Sequence, residues 1–189
     1  MKKIPVSILC LAVVLAPWAG ARAGEVQIPS RLLKAPARNP LPNPGFEKER
    51  DGKPAGWRSG STRSASGPEN VHGGRRSCEL TVPANEPEAT MYTAAVVPLQ
   101  KGAHYRLSLW AKGRGALKLG ISNLYQPPGK KKRFEKTMQP EALSLSDEWQ
   151  QARFIFSPMH SGAKIWIELS GRDAVARLDD AGLVKTDEP

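Results

Sequence analysis

At 189 residues the chain has room for one ordinary domain with short tails, and not for two full-sized ones. Its 28 Lys and Arg against 18 Asp and Glu give a formal net charge of +10, which favours anionic partners but does not identify one. With only two cysteines, Cys10 and Cys78, a disulfide-stapled scaffold is excluded.

The first 23 residues read as an export leader. Met1-Lys2-Lys3 is a positive start, Ile4 to Pro17 is uncharged and mostly apolar, and Ala21-Arg22-Ala23 sets small residues where a leader peptidase reads. Cleavage is predicted before Gly24. The apolar run falls short of the ~20 residues that cross a bilayer, so no membrane span is expected after cleavage and the mature protein is expected to be secreted or periplasmic. Lys2, Lys3 and Arg22 account for three of the ten net charges, leaving +7 and a single thiol at Cys78.

Residues 24–38, with Pro29 and Pro36, read as a tether, and a single domain is expected over 39–186. Within it, short alternating runs are separated by Gly, Pro, Asn and Asp, and no amphipathic helix stands out. Strands are predicted at Ser77–Val82, Met91–Leu99, His104–Lys112, Ala116–Ser122, Gln150–Ser157, Ala163–Ser170 and Ala176–Val184. Leu117, Leu119 and Ile121 share one face of a strand, as do Ala152, Phe154 and Phe156, and Ile165, Ile167 and Leu169. Such period-two alternation predicts an all-β fold, an antiparallel two-sheet β-sandwich with one buried face per sheet, of jelly-roll type. Cys78 alternates with Leu80 and Val82 and is expected to be a buried thiol. Arg58 to Gly74 and Tyr125 to Pro140 are expected as long surface loops, where binding groups commonly sit.

The polar faces of these strands supply the binding candidates. Tyr105 shares the apolar face of Leu107 and Leu109, whereas Arg106, Ser108, Trp110 and Lys112 occupy the opposite one. Trp166 with Glu168 has the same character, and Tyr92 is a further candidate. An aromatic flanked by hydrogen-bonding side chains is what a sugar needs, because sugars combine apolar C–H faces with hydroxyl edges. The alternative is that Trp110 and Trp166 fill a second core layer. The run Lys130-Lys131-Lys132-Arg133 is either a solvated loop tip or a contact for an acidic polysaccharide.

Four blocks carry a resemblance. Leu41-Pro42-Asn43-Pro44-Gly45-Phe46-Glu47 followed by Gly52-Lys53-Pro54-Ala55-Gly56-Trp57, then Tyr105 to Lys112, then Glu148-Trp149-Gln150 leading into Phe154-Ile155-Phe156, and finally Leu178-Asp179-Asp180-Ala181-Gly182-Leu183 occur in this order. Together they resemble the carbohydrate-binding modules of the cellulase-C type. The resemblance implies a galactose-binding-like jelly roll that binds poly- or oligosaccharide without catalysis. It implies that Trp57 and Trp149 pack in the core and that Tyr125 lies near a stacking position. It further implies a structural calcium where the chain ends meet, at Glu47, Asp179 and the carbonyl of Gly45, with Asp180 as the competing carboxylate. The alternative is that these acids accept backbone hydrogen bonds in turns. The stretch Glu86 to Tyr92 departs from the pattern of xylan-gripping members, because its aromatic is displaced.

No phosphate loop, zinc motif or nucleophile elbow is present. His72, His104 and His160 are isolated, and no catalytic residue is assigned. The expected function is secreted carbohydrate binding without nucleic-acid binding, the target being a poly- or oligosaccharide for which the basic balance favours acid groups. The alternatives are a structural or protein-interaction sandwich of the cell envelope, and a small polysaccharide hydrolase or lyase.

Overall fold

The structure, a computed structural model, describes residues 39–125 and 133–187, with the side chains of 124, 125, 133 and 134 outside the description. The leader, the tether and the basic run at 130–132 lie outside the described residues. In chain order the strands are β1 (Glu49–Arg50), β2 (Lys53–Pro54), β3 (Trp57–Arg58), β4 (Thr62–Ser66), β5 (Arg76–Thr81), β6 (Glu88–Thr93), β7 (Val97–Pro98), β8 (His104–Tyr125), β9 (Arg133–Met138), β10 (Leu143–Ser144), β11 (Gln150–Phe156) and β12 (Gly162–Thr186).

Two of these, β8 and β12, run antiparallel to each other through the whole fold and belong to both layers. Their distal halves, 116–125 and 162–170, form a front layer with order β3-β6-β12-β8-β9. Their other halves, 104–114 and 175–186, form a back layer with order β4-β5-β12-β8-β11. The expected sandwich is therefore present, and all its pairings are antiparallel among the described residues.

Alternation selects the core. Leu117, Leu119, Ile121, Ile165, Ile167, Leu169 and Met91 face inward from the front layer. Cys78, Leu80, Leu107, Leu109, Phe154, Phe156 and Leu178 meet them from the back, with the Cys78 Sγ 3.9 Å from the Met91 Sδ. Burial pushes the Cys78 thiol well above its usual range, so it is an inert packing group. The entry segment caps one end: Phe46 is fully buried, its ring centre 5.4 Å from that of Trp57, whose Nε1 donates to the Pro42 carbonyl at 2.9 Å.

Five sequence expectations change. The runs His104–Lys112 and Ala116–Ser122 are one bent strand, as are Ala163–Ser170 and Ala176–Val184. Met91–Leu99 divides into β6 and β7, because Ala94 and Ala95 leave the ladder in a bend where the Ala94 N–H donates to the Gly56 carbonyl. The expected loop Arg58–Gly74 contains the edge strand β4, and the loop Tyr125–Pro140 contains β9; both are polar sequences paired along one side, where apolar alternation is not required.

The bend is set by glycine. Gly113 has φ +135° and Gly115 φ +116°, in the region that side chains avoid, and a register shift in β12 between Ser170 and Val175 turns the partner strand at the same level. A Cβ on Gly113 would run into the Val175 carbonyl oxygen. Gly113→Ala is expected to destabilise the protein by about 2–3 kcal/mol, read as a lower urea midpoint.

Candidate functional site

The outward-facing side chains form two separate faces, one per layer, and the binding candidates are divided between them. Trp110, Arg106 and Lys112 are on the back face; Tyr92 and Trp166 are on the front face. Tyr125 pairs through its backbone with Arg133 at the front edge, and its side chain lies outside the description.

On the back face the aromatics are locked into the fold. The loop before β5 lays His72 flat against Trp110, with ring centres 4.1 Å apart at 16°, and edge-on to Trp149 at 5.5 Å. The His72 Nδ1 lies 2.8 Å from the Asp180 Oδ2. Lys112 covers the other aromatic, its Nζ 5.1 Å from the Trp149 centre, and bonds the Glu69 carbonyl. Trp149 is thus a half-buried outer-face residue and not part of the core as the resemblance implied, while Trp57 is in the core. His72, which looked isolated in the sequence, is the clasp of this cluster.

Beside it runs a ladder of charge, Lys112–Arg177–Glu79–Arg63, each neighbour directly across a strand pair. Glu79 is 5 % exposed and bonds both Arg177 and Arg63. Burial alone would push its carboxyl up, but the Arg63 hydrogen bond and the charges of Arg177 and Arg63 outweigh this and hold it below the usual range. The shallow depression bordered by Asn70, Lys112, Arg114 and Arg177 is consequently lined by cations that already have partners.

On the front face, one row crosses the whole layer in register: Arg58, Tyr92, Trp166, Gly120 and Met138. Each lies next to an inward core residue, so alternation places the row on the outer face, with Gly120 itself buried beneath Met138. Tyr92 and Trp166 stack with centres 4.8 Å apart at 25°. The Lys164 Nζ is 4.7 Å from the Tyr92 centre and the Lys136 Nζ 5.0 Å from that of Trp166. Lys136 also bonds Glu168 at 2.8 Å. Gly120 has no side chain to raise the floor, and Met138 lies over it, where a Cβ would meet the Met138 sulfur. The row above holds Lys164, Ser122 and Lys136, and the row below Thr90, Glu168 and Lys118. The Trp166 Nε1 has no acceptor among the described residues.

Of this set, sequence reasoning found Tyr92, Trp166 and Glu168. It missed Arg58, Lys118, Gly120, Lys136, Met138 and Lys164. Alternation alone would have placed 118, 120 and 164 on the polar faces of strands that were recognised, whereas Lys136 and Met138 needed β9.

Where the chain ends meet, Asp179 is fully buried and accepts from the His72, Gly73 and Asp180 N–H groups at 2.9, 3.1 and 2.8 Å. Burial pushes its carboxyl up despite these donors. The Glu47 Oε1 accepts from the Arg75 N–H at 2.8 Å. Asp180, not Asp179, turns toward Gly45: a Cβ there would lie 3.7 Å from both the Asp180 Oδ1 and the Glu47 Cγ. These two carboxylates are the hard oxygens calcium prefers, but among the described residues no three acidic, His or Cys side chains form a metal-holding group. A calcium ion, with about six to eight oxygen ligands, would therefore need backbone carbonyls for the remainder.

No protein-family model and no curated protein matches the chain. Solved structures do. The chain resembles a CBM61 module determined with β-1,4-galactotriose, at TM-score 0.52 and 21 % identity over 79 % of this chain and 100 % of that one. It resembles the CBM22-1 xylan-binding domain of Paenibacillus barcinonensis Xyn10C at TM-score 0.58 and 17 % identity, over 77 % and 93 %. It also resembles the enzymatically active domain of tailspike protein 4 of bacteriophage CBA120 at TM-score 0.60 and 14 % identity, over 78 % of this chain but 21 % of that one. The fold is that of the β-sandwich carbohydrate-binding modules.

The Glu79 carboxyl lies below its ordinary value of 4.5, so the stability it contributes is complete above that pH and is lost as pH falls through the lowered folded value. Glu79→Gln is expected to cost about 2 kcal/mol at pH 7, where it leaves Arg177 without its carboxylate, and much less at pH 3. Urea midpoints at the two pH values check this.

Proposed function

We propose that the protein is an exported, non-catalytic glycan-binding module that holds a poly- or oligosaccharide on its front face. The observation that carries this reading is the cross-layer row in which Tyr92 and Trp166 stand at the centre, flanked by Gly120 beneath the Met138 side chain and by hydrogen-bonding side chains in the rows on either side. Aromatic rings offer area to the C–H faces of a sugar, and Thr90, Glu168, Lys118 and Lys164 offer partners to its hydroxyl edges. On the back face His72 covers the Trp110 ring and lies 2.8 Å from Asp180, whereas the front-face rings are contacted by each other and by the long side chains of Lys164 and Lys136. Support also comes from the solved modules that share the fold along nearly their whole length, one of them holding a galactotriose and another described as xylan-binding. The tailspike shares the fold over about a fifth of its domain, which leaves room elsewhere in it for the catalytic part.

Export rests on the leader at residues 1–23, and amino-terminal sequencing of the protein from culture medium or periplasm is expected to begin at Gly24. For glycan binding, Trp166→Ala and Tyr92→Ala are each expected to weaken retention in polysaccharide-loaded native gels by about tenfold or more, with an unchanged β-sheet circular dichroism spectrum. Full retention by both variants would remove the front face from consideration.

A structural calcium is part of the same proposal, held by Glu47 and Asp180 with the Gly45 carbonyl. Calcium is expected to raise the melting temperature of chelator-treated protein, and Glu47→Gln or Asp180→Asn to abolish the rise. An unchanged melting temperature on chelation and re-addition would contradict it.

A further inference from the structure

The front face carries a charge pattern that the sandwich itself does not require. Four cations, Arg58, Lys118, Lys136 and Lys164, stand in three successive rows around the Tyr92–Trp166 pair, on four different strands. Against them are Glu168, already bonded to Lys136 at 2.8 Å, and the exposed Glu88 one row beyond Thr90. Among the described residues these four cations outnumber the two carboxylates on the face. Lys118 has neighbours across the strand at Glu168, yet no ion pair is recorded for it among the described residues.

The rings are arranged in a way that discriminates between ligands. Tyr92 and Trp166 stack on each other, and an ammonium group lies 4.7 Å from one ring centre and 5.0 Å from the other. A neutral sugar that stacked on either ring would have to move a lysine off it, losing a cation–ring attraction and gaining nothing from the charge displaced. A sugar bearing an acid group meets the same ammonium groups as partners and keeps them close to the rings. Cations on neighbouring strands, which lie about 4.8 Å apart, suit a chain that repeats its acid groups.

Resting on the front-face reading above, we propose that the ligand is an anionic glycan, a polysaccharide carrying repeated carboxylate or ester-sulfate groups, which Arg58, Lys118, Lys136 and Lys164 receive around the Tyr92–Trp166 pair.

The test uses the mature protein and three polymers: polygalacturonate, the same polymer after reduction of its carboxylates to neutral alcohols, and a sulfated galactan. Binding to at least one acidic polymer is expected, with little to the reduced one, and it should weaken steeply between low and physiological salt. The double variant Lys118→Ala/Lys164→Ala should weaken it by about tenfold, whereas Lys101→Ala/Lys185→Ala, which removes the same charge outside this face, should not. Preference for polygalacturonate over the sulfated galactan, or the reverse, assigns the acid group. Equal binding to the reduced polymer, insensitive to salt, would overturn the inference and leave the glycan reading standing. Equal loss from both double variants would also overturn it, by showing diffuse attraction. Binding to none of the three, nor to neutral polysaccharides in the same assay, would remove both readings.

Discussion

The corner at which β8 and β12 pass from one layer to the other constrains everything else in the molecule. A strand has two faces, and a strand that continues into a second sheet must bend without exposing the core side chains it carries. Gly113 and Gly115 allow this in β8, and the register shift after Ser170 allows it in β12. The loop after β10 fastens the corner, with Gly113 N–H donating to the Ser146 carbonyl and Leu145 N–H to that of Gly115. Because both long strands change layers together, one antiparallel pair of non-consecutive strands supplies the inner pair of both sheets. The centre of the front face is consequently carried by β12 and β8, with β6 and β9 paired on either side.

That construction explains why the two aromatic clusters are covered differently. On the back, the loop carrying His72 is drawn in by Asp179, whose buried carboxylate accepts two of its N–H groups. The loop then covers Trp110. On the front, the rings of Tyr92 and Trp166 stack on each other and carry the ammonium groups of Lys164 and Lys136. Recognition groups held on strands are positioned by the core beneath them, here Ile165, Ile167 and Leu119, and they need little ordering when a ligand arrives.

Much of the fold was legible in the sequence because a half-buried strand must alternate. The inward residues of β8, β11 and β12 are legible in this way. The limits of the elements were not, since Gly113 and Gly171 read equally well as turns between strands or as bends within them. Polar edge strands such as Thr62–Ser66 and Arg133–Met138 carry no apolar signal and read as loops in the sequence. The candidate site was legible only in part for the same reason. Tyr92 and Trp166 were each singled out, but their pairing depends on which strands are neighbours, and period-two patterns are silent about order. Trp110 had the same local signature as Trp166, and only the three-dimensional placement of His72 separates them.

The central claim is that the front row, and not the Trp110 cluster, receives an acidic glycan. Titrating isotopically labelled protein with an oligogalacturonate, while following the tryptophan indole N–H and glycine amide resonances, tests it most directly. The account predicts progressive shifts for the Trp166 indole and the Gly120 amide, with those of Trp110 and Trp149 unmoved. Shifts confined to Trp110 and Trp149 would contradict it.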